Sequence, residues 1–210
     1  MKLQVRIWLR AEPVLEFRAC EHEGCGMLEV EVKFPIDSIA AIQEKLVQRG
    51  ACLKTVRQDT DHYFNAPDRD FAKTDEVFRL RFIDDQPYLT YKGPKLDRET
   101  KSRREIEISL ATTEWQGDKA RELIQSLGYR KVGTVSKKRI VLEQHDGDFL
   151  LHFCLDEVAE IGQFLEIEII APENRYDQAR ARILAVAGEL GMVGSERRSY
   201  LHLVLALKKD

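Results

Sequence analysis

The chain has 210 residues, a length that fits one domain with an extension or two small lobes. Hydrophobic residues at 43% and charged residues at 33% provide a packed interior together with an unusual load of charge, which excludes a disordered tail. Lys and Arg number 33 against 36 Asp and Glu, a formal net charge of −3. No bulk positive field therefore exists to drive nucleic-acid binding, and we predict no nucleic-acid partner.

Cysteine usage and hydropathy indicate the compartment. The four cysteines are irregularly spaced and do not form a disulfide framework, which is typical of a reducing environment. No apolar stretch approaches the roughly 18 residues needed to cross a bilayer, and the N-terminus lacks the apolar segment of a secretory signal. We therefore predict a cytoplasmic protein without a membrane partner.

The first 26 residues differ from the rest and end in the breaker Gly24-Cys25-Gly26. Cys20, His22 and Cys25 offer three zinc ligands, but a structural zinc site needs four, so a loosely attached segment is the favoured interpretation. We predict an N-terminal extension of unknown role over residues 1–26 and one domain over residues 27–210.

From residue 27 onward a strand followed by an amphipathic helix is predicted three times. The strands cover residues 28–34, 103–108 and 164–170, and the helices follow them over 35–50, 112–128 and about 173–190. Further short strands are predicted near 63–64 and over 77–83, 88–92, 134–142, 149–155 and 200–207. About nine strands and three helices indicate a mainly antiparallel α+β domain.

Side-chain alternation sorts each strand into an apolar face and an ionic face, because residues i and i+2 point the same way. In the first strand Glu29, Glu31 and Lys33 lie opposite apolar residues. For a single strand, a face in water explains this pattern. Several strands carry arginine pairs at i, i+2, and others carry Glu-x-Glu pairs. Because like charges that lie side by side on one face repel each other, solubility alone does not explain this pattern. If the sheet closes into a barrel, the ionic faces point inward.

Charges on these faces are balanced in number. The cations are Lys33, Arg79, Arg81, Lys92, Arg103, Lys137 and Arg139, and the anions are Glu29, Glu31, Glu105, Glu107, Asp156, Glu166 and Glu168. Buried charges need partners, and a triphosphate with a divalent cation matches both sets. The predicted reaction class is metal-assisted phosphoryl or nucleotidyl transfer.

The order of these motifs resembles that of the CYTH, or triphosphate tunnel, family. The matching features run from Glu29-x-Glu31-x-Lys33 through Arg79-x-Arg81, Lys92, Arg103-x-Glu105-x-Glu107, Lys137-x-Arg139 and Asp156 to Glu166-x-Glu168. Asp61-His62-Tyr63-Phe64-Asn65 and Arg198-Ser199-Tyr200 look most like the class IV adenylyl cyclase branch.

The resemblance implies a closed eight-stranded antiparallel β-barrel with helices packed outside, which binds a triphosphate such as ATP with Mg²⁺ or Mn²⁺, often as a homodimer. It implies that Glu29, Glu31, Lys33 and Arg139 are catalytic. It implies a triphosphate-binding set of Lys33, Arg79, Arg81, Lys92, Arg103, Lys137 and Arg139. The implied metal ligands are Glu29, Glu31, Glu105, Glu107, Asp156, Glu166 and Glu168.

Two reactions fit this set of residues. In an adenylyl cyclase the ribose 3′-hydroxyl of ATP attacks the α-phosphorus and pyrophosphate leaves. In a triphosphatase water attacks the terminal phosphorus of tripolyphosphate, thiamine triphosphate or a nucleotide. The cyclase is the favoured interpretation. A third alternative is a non-catalytic module that binds triphosphate, but an anion receptor gains nothing from Glu29 and Glu31.

Overall fold

The computed structural model describes residues 27–97, 100–110 and 116–208. The predicted N-terminal extension and its Cys20, His22 and Cys25 lie outside the described residues, as does the start of the helix predicted over residues 112–128. Within the described part, no helix is long and apolar enough to span a membrane.

Eight strands form one antiparallel sheet. They are β1 (Met27–Ile36), β2 (Cys52–Asn65), β3 (Val77–Ile83), β4 (Gln86–Lys92), β5 (Glu105–Ser109), β6 (Arg130–Asp146), β7 (Phe149–Val158) and β8 (Gly162–Pro172). The helices are α1 (Ile39–Gln48), α2 (Phe71–Thr74), α3 (Gln116–Ser126), α4 (Tyr176–Glu189) and α5 (Tyr200–Leu207). The strand order is β1-β8-β7-β6-β2-β3-β4-β5. The predicted α+β class is confirmed.

The main hydrophobic core lies on the convex side of the sheet. The apolar face of β1 contributes Val30 and Val32, which are buried together with Ile167 of β8. Helix α4 covers them with Ile183 and Val186, both fully buried. The alternation read from the sequence therefore sends the apolar residues to the convex face, and the charged residues of the same strands point to the concave face.

The prediction of a closed barrel is wrong. The sheet curls into an open half-barrel, because its two edge strands β1 and β5 do not pair along their lengths. The segment just before β5 approaches β1 through a bridge between Glu29 and Arg103, and through the N–H of Lys101, which donates to the carbonyl of Glu31 at 2.8 Å.

The segment predicted as a strand over residues 200–207 is instead helix α5. The Ser199 hydroxyl caps this helix by accepting a hydrogen bond from the His202 N–H at 3.1 Å. Tyr200 and Val204, four residues apart, form its buried stripe. They pack with Tyr63 and Val135 on the concave side. The expectation that all helices lie outside the sheet is therefore wrong for α5, whereas α1, α3 and α4 pack on the convex face.

Candidate active site

The concave face is lined by charged side chains that are withdrawn from solvent. These residues alternate along the central strands with the residues of the convex core, so the pattern of each strand determines both faces. The buried charged residues of this face are Glu31, Lys33, Asp59, Asp61, Arg79, Arg81, Arg103, Lys137, Arg139, Asp156 and Glu166. Buried charges at this density require partners within hydrogen-bonding distance.

Three carboxylates, which we call the acidic trio, meet where β1 and β8 pair. Glu29, Glu31 and Glu168 each offer an oxygen, and the three oxygens lie within 4.8 Å of one another. The register of the two strands places Glu31 directly opposite Glu168. Burial raises the pKa of Glu168 to about 7, and burial together with neighbouring carboxylates raises the pKa values of Glu29 and Glu31. Burial and the neighbouring carboxylates therefore disfavour the ionised form of all three members of the trio.

Two lysines partly offset this charge. Lys92 Nζ lies 2.6 Å from Glu29 Oε2 and 2.7 Å from Glu105 Oε2. Lys101 Nζ contacts a carboxylate oxygen of Glu31 and lies 3.5 Å from Glu166 Oε1. Burial disfavours both ammonium groups, but the nearby carboxylates outweigh it and raise both pKa values. Both lysines therefore remain charged beside the trio.

Arg139 connects the trio to the middle of the sheet. Its Nε and Nη2 each lie 2.6 Å from an oxygen of Asp156, a bidentate contact. The same guanidinium contacts Glu166, and its Nη1 lies 3.7 Å from Glu168 Oε1. Lys137 Nζ also binds Asp156, at 2.9 Å. Although burial raises the pKa of Asp156, Arg139 and Lys137 outweigh it and hold that pKa below its usual value.

A second ion-pair group lies across β2 and β3. The Arg81 guanidinium donates two hydrogen bonds to the Asp61 carboxylate, at 2.7 and 2.9 Å, and Arg79 Nη1 lies 3.4 Å from Asp61 Oδ2. The Tyr63 hydroxyl donates to the same carboxylate at 3.2 Å. Burial opposes ionisation of Asp61, but the two guanidinium groups hold its pKa far below the ordinary value. This carboxylate is fully compensated.

Lys33 is completely buried below the trio. Its Nζ donates to the carbonyl of Arg198 at 2.6 Å and lies 4.0 Å from the centre of the Tyr200 ring. Tyr200 in turn donates to Asp156 Oδ2 at 2.9 Å. Burial, with the neighbouring charge of Lys101, lowers the pKa of Lys33 to about 7. The N-terminal end of α5 therefore holds a cation whose charge is sensitive to small changes in its surroundings.

Two predicted site residues lie at the margin of this face. Arg103 Nη1 donates to the carbonyls of Asp75 at 3.3 Å and Gly93 at 3.1 Å. The side chain of Glu107 accepts a hydrogen bond from the Thr90 hydroxyl at 2.8 Å, and the residue is exposed in the middle of the edge strand β5. Lys33 and Arg81 bind groups outside the predicted set, namely the Arg198 carbonyl and Asp61. The remaining predicted site residues each form an ion pair with another predicted residue or lie in the trio.

Four residues of the concave face are not among the predicted site residues. Asp59 and Asp61 lie in the part of β2 before Tyr63, for which the sequence analysis predicts no strand, although Arg57, Asp59 and Asp61 alternate visibly. Lys101 lies outside regular structure, and no local signal marks it. Tyr200 was predicted on a strand, so its contact with Asp156 could not be foreseen.

Comparison with known proteins gives the family. The model of the CYTH domain matches residues 27–200. A Methanocaldococcus jannaschii protein named "Putative adenylate cyclase" is 34% identical over 84% of this chain and 98% of its own length. "Adenylate cyclase CyaB" of Aeromonas hydrophila is 26% identical over 83% of this chain and 87% of its own.

A solved structure of a Pyrococcus horikoshii protein has the same fold. It superposes with a TM-score of 0.74 at 35% identity, covering 85% of this chain and 99% of the archaeal one. The match to the family model spans all eight strands, including the Glu-x-Glu strands that carry the acidic trio. The chain therefore belongs to the CYTH domain family.

Proposed function

We propose that this protein is a metal-dependent adenylyl cyclase that converts ATP to cyclic AMP and pyrophosphate on the concave face of the sheet. The observation that carries the proposal is the acidic trio, whose three carboxylate oxygens lie within 4.8 Å of one another amid buried cations. The names of the archaeal and Aeromonas relatives support adenylate cyclisation over other triphosphate chemistry. The implied cofactor is Mg²⁺ or Mn²⁺.

The residues present suit a hard divalent cation. Glu29, Glu31 and Glu168 supply only oxygen ligands, which Mg²⁺ and Mn²⁺ prefer. Their raised pKa values reflect burial and like-charge repulsion that Lys92, Lys101 and Arg139 do not cancel. A divalent cation bound between these three carboxylates would remove that repulsion, so the electrostatics of the site favour occupancy.

The cations of the concave face are suited to hold the phosphates. Arg139 and Lys137 converge on Asp156, and Lys92 reaches Glu29 from the opposite strand, so cationic groups surround the trio. Guanidinium groups bind phosphate oxygens bidentately, and lysines act as point charges. An entering triphosphate would replace some carboxylates as the partner of these cations.

In the proposed reaction the 3′-hydroxyl oxygen of ATP forms a bond to the α-phosphorus, and the bond from that phosphorus to the bridging oxygen of the β-phosphate breaks. The hydroxyl proton passes to solvent, and the electron pair leaves with pyrophosphate. When bound at the trio, a divalent cation lowers the pKa of the hydroxyl and neutralises developing charge. The chain's own arginines and lysines orient the phosphates and stabilise the leaving group.

Product analysis tests the proposal. The purified protein is incubated with ATP, tripolyphosphate or thiamine triphosphate, each with Mg²⁺ or Mn²⁺, and products are resolved by mass spectrometry. We expect cyclic AMP and pyrophosphate from ATP. Inorganic phosphate as the main product would make the protein a triphosphatase, and binding without any product would make it a triphosphate-binding module.

A further inference from the structure

Strand β5 forms one edge of the sheet. Within the described residues it pairs with β4 along one side, and its other side has no strand partner. The backbone N–H and C=O groups on that side are free to pair with an extended segment. Natural proteins usually protect such an edge, because an unprotected edge strand pairs with other chains. The free edge of β5 is therefore a surface suited to an extended partner.

The convex side of β5 is apolar and exposed. Ile106 and Ile108 alternate with Glu105 and Glu107, and Glu105 reaches the concave face, where it pairs with lysine and arginine. The two isoleucines are 44% and 55% exposed. Ile108 lies opposite Leu89, which packs in the hydrophobic cluster beneath α3. The isoleucines therefore extend the apolar surface of that cluster to the edge of the sheet.

Helix α3 adds two exposed leucines on the same side. Its Ile124 is buried in the cluster, and Arg121 Nη2 lies 3.5 Å from Nε2 of His62 on β2. The helical repeat places Leu123 and Leu127 on the side of α3 opposite Arg121, which is the side toward β5. These leucines are 60% and 62% exposed. The four apolar residues, which we call the edge strip, are Ile106, Ile108, Leu123 and Leu127.

The first residues of the chain have a complementary pattern. Four apolar residues occupy every second position, namely Leu3, Val5, Ile7 and Leu9. The alternate positions include three cations, Lys2, Arg6 and Arg10. In an extended backbone the two sets point to opposite sides. The apolar set then matches the edge strip, and the cations match Glu105 and Glu107 on the concave side.

The chain enters the described structure beside β5. Glu29, near the start of β1, bridges to Arg103, which lies just before β5. Residues 11–26 connect the segment 2–10 to β1. Sixteen extended residues span roughly 50 Å, whereas five residues of a strand span about 17 Å. The segment 2–10 is therefore able to reach the whole free edge.

We propose that residues 2–10 bind as an added strand along the free edge of β5. The segment supplies backbone partners to the edge, covers the edge strip with its apolar residues and places its cations near Glu105 and Glu107. A second copy of the chain fits this edge less well, because pairing β5 with itself brings the glutamates of two copies together. The inference is independent of the proposed reaction.

Hydrogen exchange resolved by residue tests the proposal in the full chain. About half of the amides of an edge strand point to its free side, and they exchange quickly unless another strand pairs there. We expect these amides in residues 105–109 of the wild type to exchange slowly. Val5→Lys combined with Ile7→Lys places two charges against the edge strip and should speed their exchange at least tenfold. Ile108→Lys changes an exposed residue and should speed exchange of the amides of residues 2–10 as much.

The matched control is Val14→Lys combined with Leu15→Lys, which makes the same change within residues 11–26 and should leave the exchange of β5 as in the wild type. Circular dichroism confirms that each variant is folded. Equal protection of β5 in the two double variants, or fast exchange of its free-side amides in the wild type, would overturn the proposal. Protection that survives in the Val5 and Ile7 variant but is lost on dilution would assign the edge to a second copy and overturn it as well.

Discussion

Two groups of carboxylates on the same concave face have opposite electrostatic surroundings. Asp61 is held by Arg79 and Arg81, and its pKa lies far below the usual value despite burial. The acidic trio lies on the other side of the half-barrel, and burial raises the pKa of each of its members. Carboxylates are thus favoured in their ionised form on β2 and disfavoured in that form on β1 and β8.

The difference in electrostatic surroundings separates carboxylates that stabilise the fold from carboxylates suited to a role in function. A carboxylate that is paired with two guanidinium groups stabilises the fold, and its charge is compensated without another cation. Three carboxylates whose oxygens lie within 4.8 Å of one another, one buried and two partly buried, repel one another unless a cation joins them, which supports the proposed metal site. Asp156, Glu105 and Glu166 resemble Asp61, because lysine or arginine partners lower their pKa values against burial. Their predicted role as metal ligands stays a prediction.

The largest expected effect follows from removing one member of the trio. Glu31→Gln should lower Mg²⁺-dependent turnover at least about a hundredfold, because a bound metal stabilises transition-state charge by several kcal/mol and each tenfold corresponds to about 1.4 kcal/mol. Initial rates with ATP and Mg²⁺ measure this loss. The control is Glu157→Gln, which changes an exposed acid beside Asp156 and should keep wild-type rates. Full activity in the Glu31 variant would remove the trio from the mechanism.

Removal of the Asp61 carboxylate, which is paired with two arginines, should lower the stability of the folded protein. Asp61→Asn leaves Arg79 and Arg81 without their shared carboxylate, so we expect the free energy of unfolding to fall by about 3–5 kcal/mol. Urea unfolding measures the change. Asp68→Asn breaks a surface pair with Arg69 in which the Asp68 side chain is 67% exposed, and it should cost about 1 kcal/mol or less. Equal losses in the two variants would contradict the distinction between the groups.

The smallest effect is a pH dependence of the metal-free protein. The folded-state pKa of Glu168 is raised to about 7 from an ordinary value of 4.5, so the folded state binds more protons than the unfolded state between these values. The stability of the protein should therefore fall as pH rises from about 5 to 7. Thermal unfolding in EDTA at several pH values measures this trend. Glu168→Gln should flatten it, and an equally steep slope in that variant would assign the trend to other groups.

The sequence predicted the charged concave face well because the signal is local. Alternation along β1 and β8 assigns Glu29, Glu31, Glu166 and Glu168 to one face without knowledge of the fold. The prediction failed where partners are distant in sequence. Lys101 reaches Glu31 only because the edges of the sheet approach each other, and no periodicity marks that approach.

The error in α5 has a different physical cause. Its leucines occupy positions 201, 203, 205 and 207, and this alternation imitates a strand. Leucine and alanine favour helices, the Ser199 hydroxyl supplies a cap, and burial of Tyr200 and Val204 against the concave face completes the helical stripe. Tertiary packing therefore decided between two local patterns. The open edge of the sheet likewise depends on strand register, which the sequence does not display.

Manganese binding tests the acidic trio most directly. Mn²⁺ is paramagnetic, so titration followed by electron paramagnetic resonance counts bound ions without any requirement for turnover. We expect at least one tightly bound Mn²⁺ in the wild type and in Glu157→Gln, and a loss of that ion in Glu31→Gln and Glu168→Gln. Undiminished Mn²⁺ binding in both trio variants would contradict the account, because the cation would then bind elsewhere on the chain.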